Sequence, residues 1–141
     1  MNARMRMSMA MQLSSELGRM TQSYNKRLAQ LLLSHDVTYP QYVVLDHIMR
    51  NGSMAETISQ ISDAVEILQP SVTRIIRKFS DRVLLQVSGT KKDRRQKRVS
   101  MTAEGAALIG KLQATLMPDV LECFSDWPEE KLDTFANQNR V

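Results

Sequence analysis

The feature that most limits the fold of this chain is where its apolar spacing changes. Met9, Leu13, Leu17, Met20, Tyr24, Leu28 and Leu31 are spaced 4, 4, 3, 4, 4 and 3. That is one stripe along a long first helix, which should fail near Ser34–Val37. Thr38-Tyr39-Pro40-Gln41 reads as a capping box. It opens a second helix that buries some of Tyr42, Val43, Leu45, Ile48 and Met49 and stops at Asn51-Gly52. Thr57-Ile58-Ser59-Gln60 is a second box, opening a short helix with Ile58, Ile61 and Val65. After a break at Glu66–Leu68 a further helix runs from Pro70 to about Arg82. The helical period then gives way to two short extended runs, Leu84–Ser88 and Arg95–Met101, around the charged loop Gly89–Asp93, the pattern of a β-hairpin. Helical spacing returns after Thr102, with Ala106, Ile109, Leu112 and Leu116 inward and Pro118 expected to kink or end the helix. Asp126-Trp127-Pro128-Glu129 is a third cap signature, before a last helix carrying Leu132 and Phe135.

The predicted order is helix, helix, short helix, helix, hairpin, helix, helix. This is a mainly α fold with a small β-hairpin, and its central elements form a helix-turn-helix with a wing. A length of 141 residues suits one domain or one domain with extensions, and 43% hydrophobic residues are enough for a core. No apolar run reaches the length of a bilayer span. The start, MNARMRMSMAM, lacks an uninterrupted apolar segment, so no secretory signal is expected and a cytoplasmic location follows as the default.

Charge is unevenly placed. Between Ser71 and Ser100 stand ten basic residues (Arg74, Arg77, Lys78, Arg82, Lys91, Lys92, Arg94, Arg95, Lys97, Arg98) against Asp81 and Asp93. This segment carries +8, and because the whole chain carries +4, the remainder carries −4. A basic island on a mildly acidic body is the footprint of a protein that binds a polyanion locally.

With Val72 at the centre of the buried face of the Pro70–Arg82 helix, Ile75, Ile76, Phe79 and Val83 fall within about 60° of it. Arg74 and Arg77 lie opposite, Pro70 projects between them, and Ser71, Thr73 and Lys78 flank them. Arginine can fork onto guanine, hydroxyls can reach phosphate or base, and first-turn amides favour phosphate, so this edge suits a DNA major groove. The hairpin tip and return strand, Lys91-Lys92-Asp93-Arg94-Arg95-Gln96-Lys97-Arg98, can carry arginine into a minor groove. Asp93 fits there as the group that holds a neighbouring arginine by a charge-assisted hydrogen bond.

Residues Tyr42 to Gly105 resemble the MarR family of bacterial transcription regulators, and in particular its SlyA-like branch. The likeness is carried by Gln41-Tyr-Val-Val-Leu45, Gln69-Pro-Ser-Val-Thr-Arg74, Asp93-Arg-Arg-Gln-Lys-Arg-Val99 and Met101-Thr-Ala-Glu-Gly105. It implies a homodimer on double-stranded DNA, with a dimerisation helix over 1–36, a winged helix-turn-helix over 37–104 and dimerisation helices over 105–141. Leu13, Leu17, Met20, Leu112, Leu116 and Phe124 are the expected dimer residues. Gln69, Ser71, Thr73, Arg74, Arg77 and Lys78 become the recognition-helix site, and Lys91, Lys92, Asp93, Arg94, Arg95 and Lys97 the wing site. Arg94 is then the minor-groove arginine steadied by Asp93. The resemblance also implies a repressor acting on a pseudo-palindromic operator, relieved by a small aromatic or phenolic effector. The chain departs from the family pattern at Glu66 and Leu68, where glycine and a capping residue are common. It departs again at Val83, often glycine, and at Arg77, often an acid.

Other residues lend themselves to plainer readings. His35 and His47 have no neighbouring acidic or cysteine pattern, so no metal and no cofactor is expected. Cys123 is alone, which excludes an intrachain disulfide; packing is its expected role, with thiol-based redox sensing the alternative. The Met-rich start reads as a greasy contact, with copper binding a remote option. No phosphate loop or nucleophile–base pattern suggests an enzyme. The second reading for the whole chain is a winged-helix module that binds nucleic acid or protein without operator specificity.

Overall fold

A computed structural model describes residues 2–52, 54–89 and 97–138. Helix α1 (Ala3–Leu32) is capped by Asn2, whose side chain accepts from the Met5 amide at 2.8 Å, and is followed by a single 3-10 turn, Leu33–His35. Then come α2 (Tyr39–Arg50), β1 (Glu56–Thr57), α3 (Ile58–Val65), α4 (Gln69–Asp81), β2 (Leu85–Ser88), β3 (Arg98–Met101), α5 (Ala103–Cys123) and α6 (Glu129–Gln138). Both expected capping boxes form. Thr38 and Gln41 exchange bonds of 3.3 and 3.0 Å, and Thr57 and Gln60 bonds of 3.2 and 2.9 Å. The final helix starts at Glu129, with Pro128 supplying its first carbonyl acceptor to Leu132, two residues later than a cap at Asp126 would place it.

The sheet is antiparallel in the order β1-β3-β2. β1 was not foreseen, because two residues are too few to show a period. The last pair of the hairpin among the described residues is Ser88 with Arg98, and Lys97 stands outside β3. Of the extended run predicted from Arg95, β3 covers Arg98–Met101, and Arg95 and Gln96 lie outside the described residues.

One core gathers Leu28 and Leu32 of α1, Val44, Leu45 and Ile48 of α2, Ile61 of α3, Val72, Ile75, Ile76 and Phe79 of α4, Leu85 and Val99 of the sheet, and Ile109, Leu112 and Leu116 of α5. Leu32 and Val44 join it where the sequence pointed to Leu31 and Val43, which are half-buried, while Met49 is exposed. Helix α5 does not end at Pro118. Proline removes a donor, but Leu116 and Val120 pack on the core and Asp119 pairs with Arg27 at 2.9 Å, so the flanking contacts carry the helix past it to Cys123. Further polar ties fix α5: His35 Nε2 lies 2.6 Å from Thr115 Oγ1, and Gln113 donates to Asp46 at 3.3 Å.

Three helix ends share one device. Asp36, Glu66 and Val83 take left-handed φ values of 54°, 56° and 59°. After each, an amide closes back onto the preceding helix: Val37 to the Leu32 carbonyl, Ile67 to Ser62 and Leu84 to Phe79. These are Schellman turns without glycine. At the α3–α4 turn the buried Ser62 hydroxyl adds a 2.6 Å bond to the Ile67 carbonyl.

The Thr-x-x-Gly start of α5 locks onto the last of these turns. The Thr102 hydroxyl accepts from the Gly105 amide at 3.0 Å and donates to the Val83 carbonyl at 2.7 Å, while the Thr102 amide donates to the Leu84 carbonyl at 3.3 Å. A β-carbon on Gly105 would sit 2.1 Å from the Leu84 carbonyl oxygen and 2.4 Å from Met101 Sδ. Gly105→Ala is therefore expected to lower unfolding free energy by about 3 kcal/mol in chemical denaturation. Gly110→Ala, on an open helical face of the same α5, should raise it by about 0.5–1 kcal/mol.

Candidate nucleic-acid interface

Helix α4 is divided as its period predicts. Val72, Ile75, Ile76 and Phe79 are buried, whereas Gln69, Pro70, Arg74, Arg77 and Lys78 are exposed and Ser71 and Thr73 half-buried. The outward edge is partly organised within the free chain. The Thr73 hydroxyl donates to the Gln69 carbonyl at 2.9 Å, and Arg74 Nη2 donates to Ser71 Oγ at 3.3 Å. Leu68 occupies the N-cap position and makes no side-chain cap bond, so this helix lacks the stabilisation that Thr38 and Thr57 give theirs.

Val83 corrects the sequence reading. Its projected inward position assumed a helix through residue 83, but α4 ends at Asp81 and Val83 is 62% exposed in the left-handed turn. The turn is held by the Leu84 and Thr102 bonds in spite of a β-branched residue that disfavours it.

The wing is anchored at its base. β3 pairs on both sides, and Arg98 Nη1 donates to the Ala55 carbonyl at 3.0 Å, so this arginine of the basic island is engaged with the chain itself. His47 Nε2 meets Glu56 Oε1 at 2.7 Å, and Asn51 donates to the same oxygen, tying the end of α2 to β1. Lys97 is exposed. Lys91, Lys92, Asp93, Arg94 and Arg95, with the expected Asp93–Arg94 contact, lie outside the described residues.

The expected dimer residues separate into two groups. Leu13, Leu17, Met20 and Phe124 are exposed. Leu112 and Leu116 are not available to a partner: both are sealed in the core of this chain, at 0% and 2% exposure. The sequence missed the neighbouring α5 face, where Met117 and Leu121 are exposed together with Phe124 at spacings of four and three. Leu132 and Phe135 of α6 are exposed too, and Trp127 meets the rings of Phe124 and Phe135 edge-on. Cys123 is exposed at the end of α5 in the single chain. No described helix is long and apolar enough to cross a membrane.

A helix-turn-helix of α3 and α4, followed by a hairpin whose return strand also pairs with β1, defines a winged helix-turn-helix. The fold is that of several solved structures. Apo MarR from E. coli aligns with a TM-score of 0.72 at 18% identity, over 89% of this chain and 92% of that one. A MarR family transcriptional regulator from Silicibacter pomeroyi gives 0.77 at 22%, over 89% and 83%. The S. aureus MepR–DNA complex gives 0.71 at 21%, over 88% and 89%. The model of the MarR family matches residues 35–96, from the turn before α2 into the wing. Over those residues the chain is similar to the MarR family, and the solved structures share its fold along most of its length. The match is to the family at large; the SlyA-like likeness rests on the motifs alone.

Relief of the left-handed strain at Val83 gives a direct check of the turn. A side chain in that region costs roughly 1–2 kcal/mol, part of which glycine returns through its freer unfolded chain. Val83→Gly should raise unfolding free energy by about 1 kcal/mol, read as a shift of the denaturation midpoint with unchanged slope.

Proposed function

We propose that this chain is a sequence-specific transcription regulator that acts as a homodimer on a pseudo-palindromic operator, most simply as a cytoplasmic repressor. The observation that carries the reading is the division of α4. Four buried apolar side chains fix the helix, and its free edge presents Gln69, Ser71, Thr73, Arg74, Arg77 and Lys78. In this reading that edge enters the major groove. The wing, with Lys91, Lys92, Asp93, Arg94, Arg95 and Lys97, reaches the flanking minor groove. The related MepR has been solved on DNA, which supports the same use of the fold here.

The functional segments are 1–36 and 105–141 for dimerisation and 37–104 for DNA. One core runs through all three, so movement of the dimer helices and of the reading unit is coupled. Exposed Leu13, Leu17, Met20 and Phe124 support a partner contact. A small aromatic or phenolic effector would lie between the dimer helices and the winged unit. Tyr24, Tyr39 and Tyr42 are half-buried there, and burial holds their phenols above the ordinary tyrosine range, leaving them protonated as hydrogen-bond donors.

Selection of bound fragments from a random DNA pool, repeated with a panel of aromatic acids, tests the whole reading. Enrichment of an inverted-repeat sequence, lost or weakened by a panel member, is the expected result. Failure to enrich any sequence would favour the module without operator specificity. Sensitivity of binding to thiol oxidants, abolished by Cys123→Ser, would favour redox sensing. On the enriched fragment, Arg74→Ala should cost about 1–3 kcal/mol and relax preference at one base position. Arg94→Ala should weaken binding chiefly where A·T-rich sequence flanks the half-sites, and unchanged titrations on such fragments would remove the wing assignment.

A further inference from the structure

We propose that Thr73 reads the 5-methyl group of a thymine in each half-site. The inference rests on α4 being the major-groove helix and adds the base chemistry that its leading end recognises. The Thr73 hydroxyl has one proton, and that proton is committed to the Gln69 carbonyl at 2.9 Å. Phosphate oxygens and the carbonyl or N7 atoms of bases only accept hydrogen bonds. None of them can be the partner of Thr73 while the bond within the helix stands. With its oxygen turned back onto the helix backbone, the branch of this half-buried side chain left to face outward is the Cγ2 methyl.

Beside Thr73 the leading end mixes apolar groups with the donors Gln69 and Ser71. Leu68 at the N-cap is 79% exposed, and Pro70, one turn before Thr73 on the same outward face, has no backbone N–H. The cations Arg74, Arg77 and Lys78 follow further along the helix. Helices of this kind set their N-terminal residues against base edges. The thymine methyl is the apolar group that base pairs display in the major groove. A leading end that offers the apolar groups of Leu68, Pro70 and Thr73 before the arginines is thus matched to thymine beside a hydrogen-bonding base.

The test uses the full chain and the duplex enriched by selection, with each thymine replaced singly by deoxyuridine, which keeps every hydrogen-bonding atom and lacks only the methyl. Wild-type protein should lose about three- to fivefold in affinity at one symmetric position per half-site, the effect of exposing one methyl. Thr73→Ser keeps the hydroxyl and loses the methyl, so it should bind the thymine and deoxyuridine duplexes equally at that position. Thr73→Val keeps a methyl and should retain the discrimination. A flat deoxyuridine profile on an enriched duplex overturns this inference while leaving the proposed function standing. So does a Thr73→Ser profile identical to wild type, or a loss confined to adenines replaced by purine, which would make Thr73 an acceptor for the adenine amino group. If no sequence is enriched, the proposed function fails and this inference fails with it.

Discussion

The reading unit depends on the contact where the first turn of α5 lies against the carbonyls of Val83 and Leu84. Thr102 uses its amide and both capacities of its hydroxyl there, and Gly105 lets the backbones approach to a distance that any β-carbon would forbid. The carbonyls belong to the turn that ends α4 and starts β2. One small motif therefore sets the end of the recognition helix, the start of the wing and the origin of α5. The polar groups at this junction have partners, which keeps their burial from costing stability.

The same economy appears along α4. It begins at an uncapped leucine and ends at a valine in a left-handed turn, so its own termini do little to hold it. The cap deficit is about 1 kcal/mol and the strained turn roughly 1–2 kcal/mol. Against these stand four buried side chains, each contributing about 1.5–3 kcal/mol. Packing outweighs the poor ends, and the helix position is thus set by the core. Glu66, left-handed at the preceding turn, follows the same logic, with Ser62 bonding across it.

Much of this was legible in the residues. The capping boxes at Thr38 and Thr57, the two faces of α4, the hairpin and the Thr102 cap follow from local spacing and hydrogen-bonding chemistry, and local chemistry is what a sequence displays. The failures came where tertiary contacts decide. Val83 was extrapolated on a helical period that had already stopped. Pro118 was given its intrinsic breaking effect, which the core and the Arg27–Asp119 pair override. Leu112 and Leu116 were assigned to a partner because a stripe shows that a face is buried without showing against what. The strand Glu56–Thr57 exists only because β3 runs beside it.

The path of α5 past Pro118 has a mechanical meaning. One end of this helix is clamped to the recognition turn by Thr102, and near the other Asp119 is fastened to Arg27. At about 1.5 Å per residue the two fastenings lie roughly 25 Å apart. A tilt of about 10° around the Asp119 end would carry the Thr102 end through roughly 4 Å, comparable to the 3.4 Å step between stacked base pairs in one strand. A helix broken at the proline would absorb such a tilt in its own bend. A continuous one would act as a lever and carry such a tilt to the root of the wing together with the core side chains packed on it.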